Sequence, residues 1–290
     1  MKKIAIVTDS NSGLTGKEAE QIENLFIVPM PFMIGEEEFF EDINLTQEQF
    51  YQKLLSNQKI STSQPSIGQI VEMWEEILKN YDEIVHLPMS SALSMSCETA
   101  KNFAKQFEGK VQVVDNHAIS VTLKQSVLDA IELAKKGFSA EEIKKMLEEN
   151  KSNNSIYIMV STLKYLKKGG RITPAAAAIG TLLKIKPVLQ IQGGKLDQFA
   201  KVLNEKVACA KMINAVKKDL ETRFKDYVKK GQMRLYVAHT NCLVKAQAFA
   251  EQIRKEIPNV ELTFIDPLSL SVACHIGDGA LAIATSRVIG

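Results

Sequence analysis

The sequence predicts an α/β protein of two domains, 1–151 and 152–290. Three observations carry that prediction. Short apolar runs alternate with amphipathic stretches through the first half; a polar link, Asn150-Lys151-Ser152-Asn153-Asn154, breaks the alternation; and the second half adds a hairpin to further strand–helix steps. At roughly 100–200 residues per domain, 290 residues suit two compact units. Strand–helix alternation predicts a mainly parallel sheet flanked by helices for the N-terminal domain. A mixed sheet with helices is expected for the C-terminal domain.

Lys3–Thr8 is a short apolar run ending in Asp9-Ser10-Asn11-Ser12-Gly13, the turn chemistry expected after a buried strand. Thr15–Glu23 is polar and helix-forming. Leu25–Ile34 is strand-like, and Pro29 and Pro31 imply an edge or irregular position. Thr46-Gln47-Glu48-Gln49 is a capping-box pattern opening a helix to about Leu55. Ser66 is expected to cap a helix whose apolar stripe, Ile67, Ile70, Val71, Trp74, Ile77 and Leu78, has helical spacing. Glu83–Leu87 and Val111–Val114 read as buried strands, each followed by a polar turn and a helix, and Ala140–Glu149 as a further helix.

After the link, Ser155–Val160 reads as a strand, followed by the basic stretch Leu163–Arg171 and an Ala-rich helix after Pro174. Pro187–Gln192 and Lys195–Leu203 predict a hairpin closed by the two-residue turn Gly193-Gly194. A single long helix is expected over about Glu205–Val228. Arg234–Ala238, a helix near Val244–Glu256, Val260–Ile265 and the apolar run Ala280–Thr285 complete the chain.

Composition narrows the function. With 36 Lys+Arg against 34 Asp+Glu, the formal charge is +2, which argues against a dedicated nucleic-acid binder. Apolar stretches fall short of the roughly 20 residues a transmembrane helix needs, since the Ala-rich run meets Lys184 and Lys186. The start runs directly into a strand with no signal-peptide pattern, and the four cysteines form no CxxC pair. A cytoplasmic protein is expected.

Familiar catalytic motifs are mostly absent. Gly277-Asp278-Gly279-Ala280-Leu281-Ala282 fits G-x-G-x-x-A, but too little chain follows to build a dinucleotide fold. No G-x-S-x-G exists, and His86, His117, His239 and His275 show no metal spacing. What remains is hydroxyl-rich segments where loops should meet strand ends: Ser61-Thr62-Ser63-Gln64-Pro65-Ser66 and Ser90-Ser91-Ala92-Leu93-Ser94-Met95-Ser96. Helix capping explains one hydroxyl in each; the surplus suits an anion. The third segment is basic, Lys167-Lys168-Gly169-Gly170-Arg171-Ile172-Thr173.

These residues carry a resemblance. Thr62-Ser63-Gln64-Pro65-Ser66, the Ser91–Ser94 segment, Lys168-Gly169-Gly170-Arg171-Ile172 and His275-Ile276-Gly277-x-Gly279-Ala280 occur in the order seen in the DegV family. Thr8-Asp9-Ser10 and Val28-Pro29 also fit, so the similarity spans essentially the whole chain. The resemblance implies a two-domain carrier of a long-chain fatty acid such as palmitate or oleate, with no cofactor and with the ligand between the domains. It further implies a fatty-acid kinase catalytic subunit as partner, which phosphorylates the presented carboxylate and feeds phospholipid synthesis; transient membrane contact is compatible with that role. It puts Thr62 and Ser94 on the carboxylate, with Arg171 and His275 beside it. Ser61, Ser91, Gly170, Gly277 and Gly279 are expected to shape the supporting loops. Met95 and Asp278 depart from the family pattern, and Asp278 is expected to favour imidazolium at His275 if the two approach.

Apolar burial is expected to dominate affinity. Roughly 0.8 kcal/mol per buried methylene outweighs what the head group supplies, while its partners prevent a stranded carboxylate. Two other readings stay open: an acyl hydrolase or acyltransferase using Ser94 as nucleophile and His275 as base, or a regulatory adaptor that lipid merely stabilises.

Overall fold

The computed structural model describes residues 2–14, 16–56, 58–178 and 185–290. The first half begins with β1 (Ile4–Asp9), α1 (Gly16–Glu20) and β2 (Leu25–Val28). Pro29 and Pro31 end that strand, and the chain restarts as β3 (Phe32–Ile34), β4 (Glu37–Phe39), α2 (Gln47–Leu55) and β5 (Ile60–Thr62). There follow α3 (Ile67–Ile77), β6 (Glu83–Leu87), α4 (Ser96–Ala104), β7 (Val111–Val113), α5 (Val121–Lys135) and α6 (Ala140–Glu149). The second half comprises β8 (Asn154–Met159), α7 (Lys164–Gly169), α8 (Pro174–Ala177), β9 (Lys186–Ile191), β10 (Asp197–Val202), α9 (Glu205–Glu221) and α10 (Lys225–Lys229). It ends with β11 (Met233–His239), α11 (Leu243–Glu256), β12 (Glu261–Pro267), α12 (Leu270–Ile276) and β13 (Leu281–Arg287).

The strands form three sheets. One is wholly parallel, in the order β2-β1-β6-β7, with the proline-bounded β2 at its edge. Period-two alternation splits its faces: Ala5 and Val7 pack with Trp74 and Ile77 of α3 and Cys97 of α4, whereas Ile4 and Ile6 face α5. The second sheet, β10-β9-β8-β13-β11-β12, is mixed; only β11 and β12 run parallel. Tyr157, Val237 and Ile283 on one face pack under Met212 of α9 and Phe249 of α11. Ile158, Ala238 and Ala282 on the other belong to the same core as Val127, Ile131 and Ile6. Helix α5 therefore lies between the two sheets, which is why it is buried on nearly all sides. The polar link 150–154 is a hydrogen-bonded turn, with Asn150 Nδ2 donating to the Arg287 carbonyl at 3.0 Å.

The small antiparallel sheet β4-β3-β5 positions the site. Phe32, Phe50, Leu54 and Ile60 form a core with Leu270, Ala273 and Cys274 of α12. Packing thus lays the end of β5, at Thr62, beside α12.

Several expectations are corrected. The hairpin does not turn on Gly193-Gly194: the strands part after Gln190 pairs with Asp197, because Leu196 is drawn to residues 171–173. Thr173 N donates to Leu196 O at 2.9 Å. The long helix stops at Glu221, where Thr222 turns its hydroxyl onto the Lys218 carbonyl and the chain leaves the helix to bury Phe224. Ser66 occupies the N-cap of α3 without a side-chain cap bond. Helix α12 has no counterpart in the sequence reading. Thr15, and Ile179–Lys184 beyond the alanines that follow Pro174, lie outside the described residues.

Candidate functional site

Two neighbouring glycines let the candidate side chains converge. A Cβ on Gly169 would lie 2.1 Å from His275 Nδ1, and one on Gly277 would lie 2.7 Å from the Tyr165 ring. Helix α7 and helix α12 therefore interlock, each placing a ring over the other's glycine. Gly170 ends α7 at φ 68°, a left-handed C-cap. Gly279, at φ 73°, leaves room for Ser161 Oγ, which donates to its carbonyl at 3.3 Å.

His275 Nε2 lies 2.8 Å from Thr62 Oγ1, a pair drawn from opposite ends of the chain. Burial, and secondarily the Arg171 guanidinium, push the imidazole pKa down to about 4, so the ring is neutral at pH 7. Asp278 does not drive this ring towards imidazolium; its charge instead acts on Tyr51 and Cys242. Arg171 Nε donates to Leu93 O at 3.2 Å and Nη1 to Gly169 O, tying the hydroxyl-rich loop to the end of α7. Ser94 Oγ donates to Ser96 Oγ at 3.0 Å and accepts from Ser96 N at 3.2 Å, a local turn just ahead of α4.

Thr62, Ser94, Arg171 and His275 all line one cavity of about 430 Å³. Its remaining wall is mostly apolar, with Met30, Met89, Leu93, Ile119 and Ile276 prominent. A second cavity of about 610 Å³ shares Thr62, Arg171 and His275; Lys59, Lys164 and Lys168 give it a basic character that the first lacks, beside apolar Leu54 and Ile60. Those three shared side chains form the partition between an apolar space and a basic one. Ser61 lines the basic cavity. Ser91 lines neither, and its backbone N–H points to Asp115 Oδ1 at 3.4 Å. Lys167, grouped with its neighbours by sequence, is exposed outside both linings.

Sequence reading missed Asn11, Lys59 and Gly169 as individual contributors. Asn11 Oδ1 accepts from Ser269 Oγ at 2.7 Å and from Ser271 Oγ, anchoring α12 to the loop after β1. Glu41 reinforces that anchor by accepting from Leu270 N at 2.8 Å. The only available signal for Asn11 was its place in the turn after a buried strand. Among the described residues, Cys97, Glu98 and Asp115 bring potential metal-ligand atoms within 4.8 Å of one another, but Lys101 Nζ already pairs with both carboxylates.

Comparison with known proteins agrees along the chain. The family model described as "Uncharacterised protein, DegV family" matches residues 3–288. A DegV domain-containing protein of Clostridium perfringens is 33% identical over 291 residues, 98% of this chain and 97% of its own. A solved DegV family protein from Thermus thermophilus, described by its fatty acid binding, superposes with a TM-score of 0.87 at 28% identity, covering 98% and 99% of the two chains. The DegV structure from Bacillus subtilis, described as a fatty acid binding protein, gives a TM-score of 0.84 at 31% identity, covering 99% and 100%.

Proposed function

The chain belongs to the DegV family, and from that premise we propose that it carries a long-chain fatty acid such as palmitate or oleate. In this reading the ligand lies between domains 1–151 and 152–290, with its carboxylate on Thr62 and Ser94 and with Arg171 and His275 beside it. The observation that carries the reading is the partition itself: hydroxyl, imidazole and guanidinium groups stand where an apolar cavity meets a basic one. An amphiphile with one long apolar tail and one anionic head matches both sides.

The chemistry follows from proton bookkeeping. In this reading the neutral His275, 2.8 Å from Thr62 Oγ1, carries its proton on Nε2 and donates it there, which frees the threonine hydrogen for the carboxylate. Ser94 Oγ holds its hydrogen on Ser96 Oγ and would redirect it to the same head group. Two neutral donors hold the anion without neutralising it. A carboxylate at this partition also faces the basic cavity, where a separate fatty-acid kinase subunit would phosphorylate it to an acyl phosphate for phospholipid synthesis. Lys59, Lys168 and Arg171 there suit the added negative charge.

The hydrolase alternative draws less support. His275 Nε2 is bonded to Thr62 and not to Ser94, and among the described residues no carboxylate is hydrogen-bonded to His275. The deciding experiment is organic extraction of purified protein followed by mass spectrometry, then titration of delipidated protein with fatty acid. About one removable acyl chain per protein, and affinity weakened about tenfold or more by Thr62→Ala or Ser94→Ala, are expected. Delipidated protein that binds no fatty acid would overturn the reading. With purified kinase, Arg171→Ala should lower acyl-phosphate formation more than it lowers binding; equal losses would confine Arg171 to the ligand.

A further inference from the structure

The apolar cavity does not end at its innermost side chains. A smaller space of about 60 Å³ lies behind Leu93, Ile119, Leu196, Val272 and Ile276, which line both. Its floor is the α5 side of the six-stranded sheet. There Ala238 stands opposite Ala282, and Ala284 opposite Ile156. The same strands turn Val237 and Ile283 to the other face, where large side chains fill the space under α9 and α11. Alanine is depleted in strands because it packs poorly on a pleated surface, so the small side chains here leave depth on one face alone. Ser120 aside, the walls are carbon, and water needs two to four polar partners that they do not offer.

We propose that this inner chamber receives the methyl end of the acyl chain, and that Ala238, Ala282 and Ala284 set the longest chain the protein accepts. The inference rests on the fatty-acid reading and adds to it the residues that measure length. With the head fixed at Thr62, every methylene beyond the partition must pass the five shared side chains before reaching the alanine floor. Raising that floor excludes the end of a long chain while leaving a shorter one untouched. Each excluded methylene lowers affinity about fourfold.

The test is competition of saturated acids, from roughly 12 to 20 carbons, against a fluorescent fatty acid on delipidated protein. Ala282→Val and Ala284→Val each add two methyl groups in a shape that strands accommodate. Both should move the best-bound length about two carbons shorter, with affinity for the longest acids down about fifteenfold and for the shortest unchanged. A melting curve accompanies each variant, and because the readout is a length profile, uniform weakening from general destabilisation is recognisable. Either folded variant with the parent's profile overturns the inference and leaves the fatty-acid reading standing. A parent that binds no acid of any length removes the reading, and the inference with it.

Discussion

Gly169 and Gly170 are adjacent and answer to different constraints. At Gly169 a methyl group would occupy the place of the half-buried His275 ring, whereas at Gly170 nothing lies within 4 Å and only the positive φ resists a side chain. Gly169→Ala should therefore cost about tenfold or more in fatty-acid affinity by displacing His275 from Thr62. Gly170→Ala should cost about 1 kcal/mol of stability and leave affinity nearly unchanged. Titration and thermal melting of the two variants side by side check this; equal affinities would disconnect the glycine from the site. Glu41 makes a second residue-scale prediction. Burial pushes its carboxyl up to about 7, against the bonds from Leu270 N and Gln47 that favour the charged form. A carboxyl whose folded pKa is raised stabilises below its unfolded value near 4.5, and that contribution is lost as pH rises through about 7. Glu41→Gln keeps an acceptor for Leu270 and removes the titration. Its melting temperature should fall less than the parent's between pH 4.5 and 7; identical pH profiles would exclude Glu41 as the source.

Helix starts differ in what holds them. Thr46 and Ser139 each complete a capping box, accepting from the backbone of Gln49 and Glu142 while those side chains bond back. Ser66 stands at the same position of α3 with no such bond. Thr46→Ala and Ser139→Ala should each destabilise by about 1 kcal/mol, and Ser66→Ala by a few tenths at most. Urea unfolding of the three variants tests this, and a Ser66 loss as large as the others would refute it. Helix α12 is held differently again. Its seven residues include five of modest helix propensity, Ser271, Val272, Cys274, His275 and Ile276, and its support comes from Asn11, Glu41 and the core around Phe32 and Phe50. An element stabilised from outside leaves little periodic signal in its own residues.

At the scale of the whole molecule, one apolar core runs from Ile6 through α5 to Ala282, joining both sheets. The two halves should consequently unfold together. Trp74, the single tryptophan, reports on the first half, and far-UV circular dichroism reports on both. Coincident denaturation curves are expected; separated midpoints would show independent units. The sequence alone determined the strand–helix alternation, the capping box at Thr46, the parallel character of the first sheet and the order of the motifs. These are written in periodicity and in contacts spanning a turn or two. It also carried the family resemblance, because motif order survives without knowledge of distance. Only the tertiary structure decided that α9 ends where Phe224 must be buried, and that the 192–196 loop answers to residues 171–173. Only it brought Thr62 to His275, across 213 residues of chain, on the packing of a small sheet against α12. Local propensity fixes what each segment becomes, but which polar groups meet depends on how distant apolar faces bury one another, and no single segment encodes that.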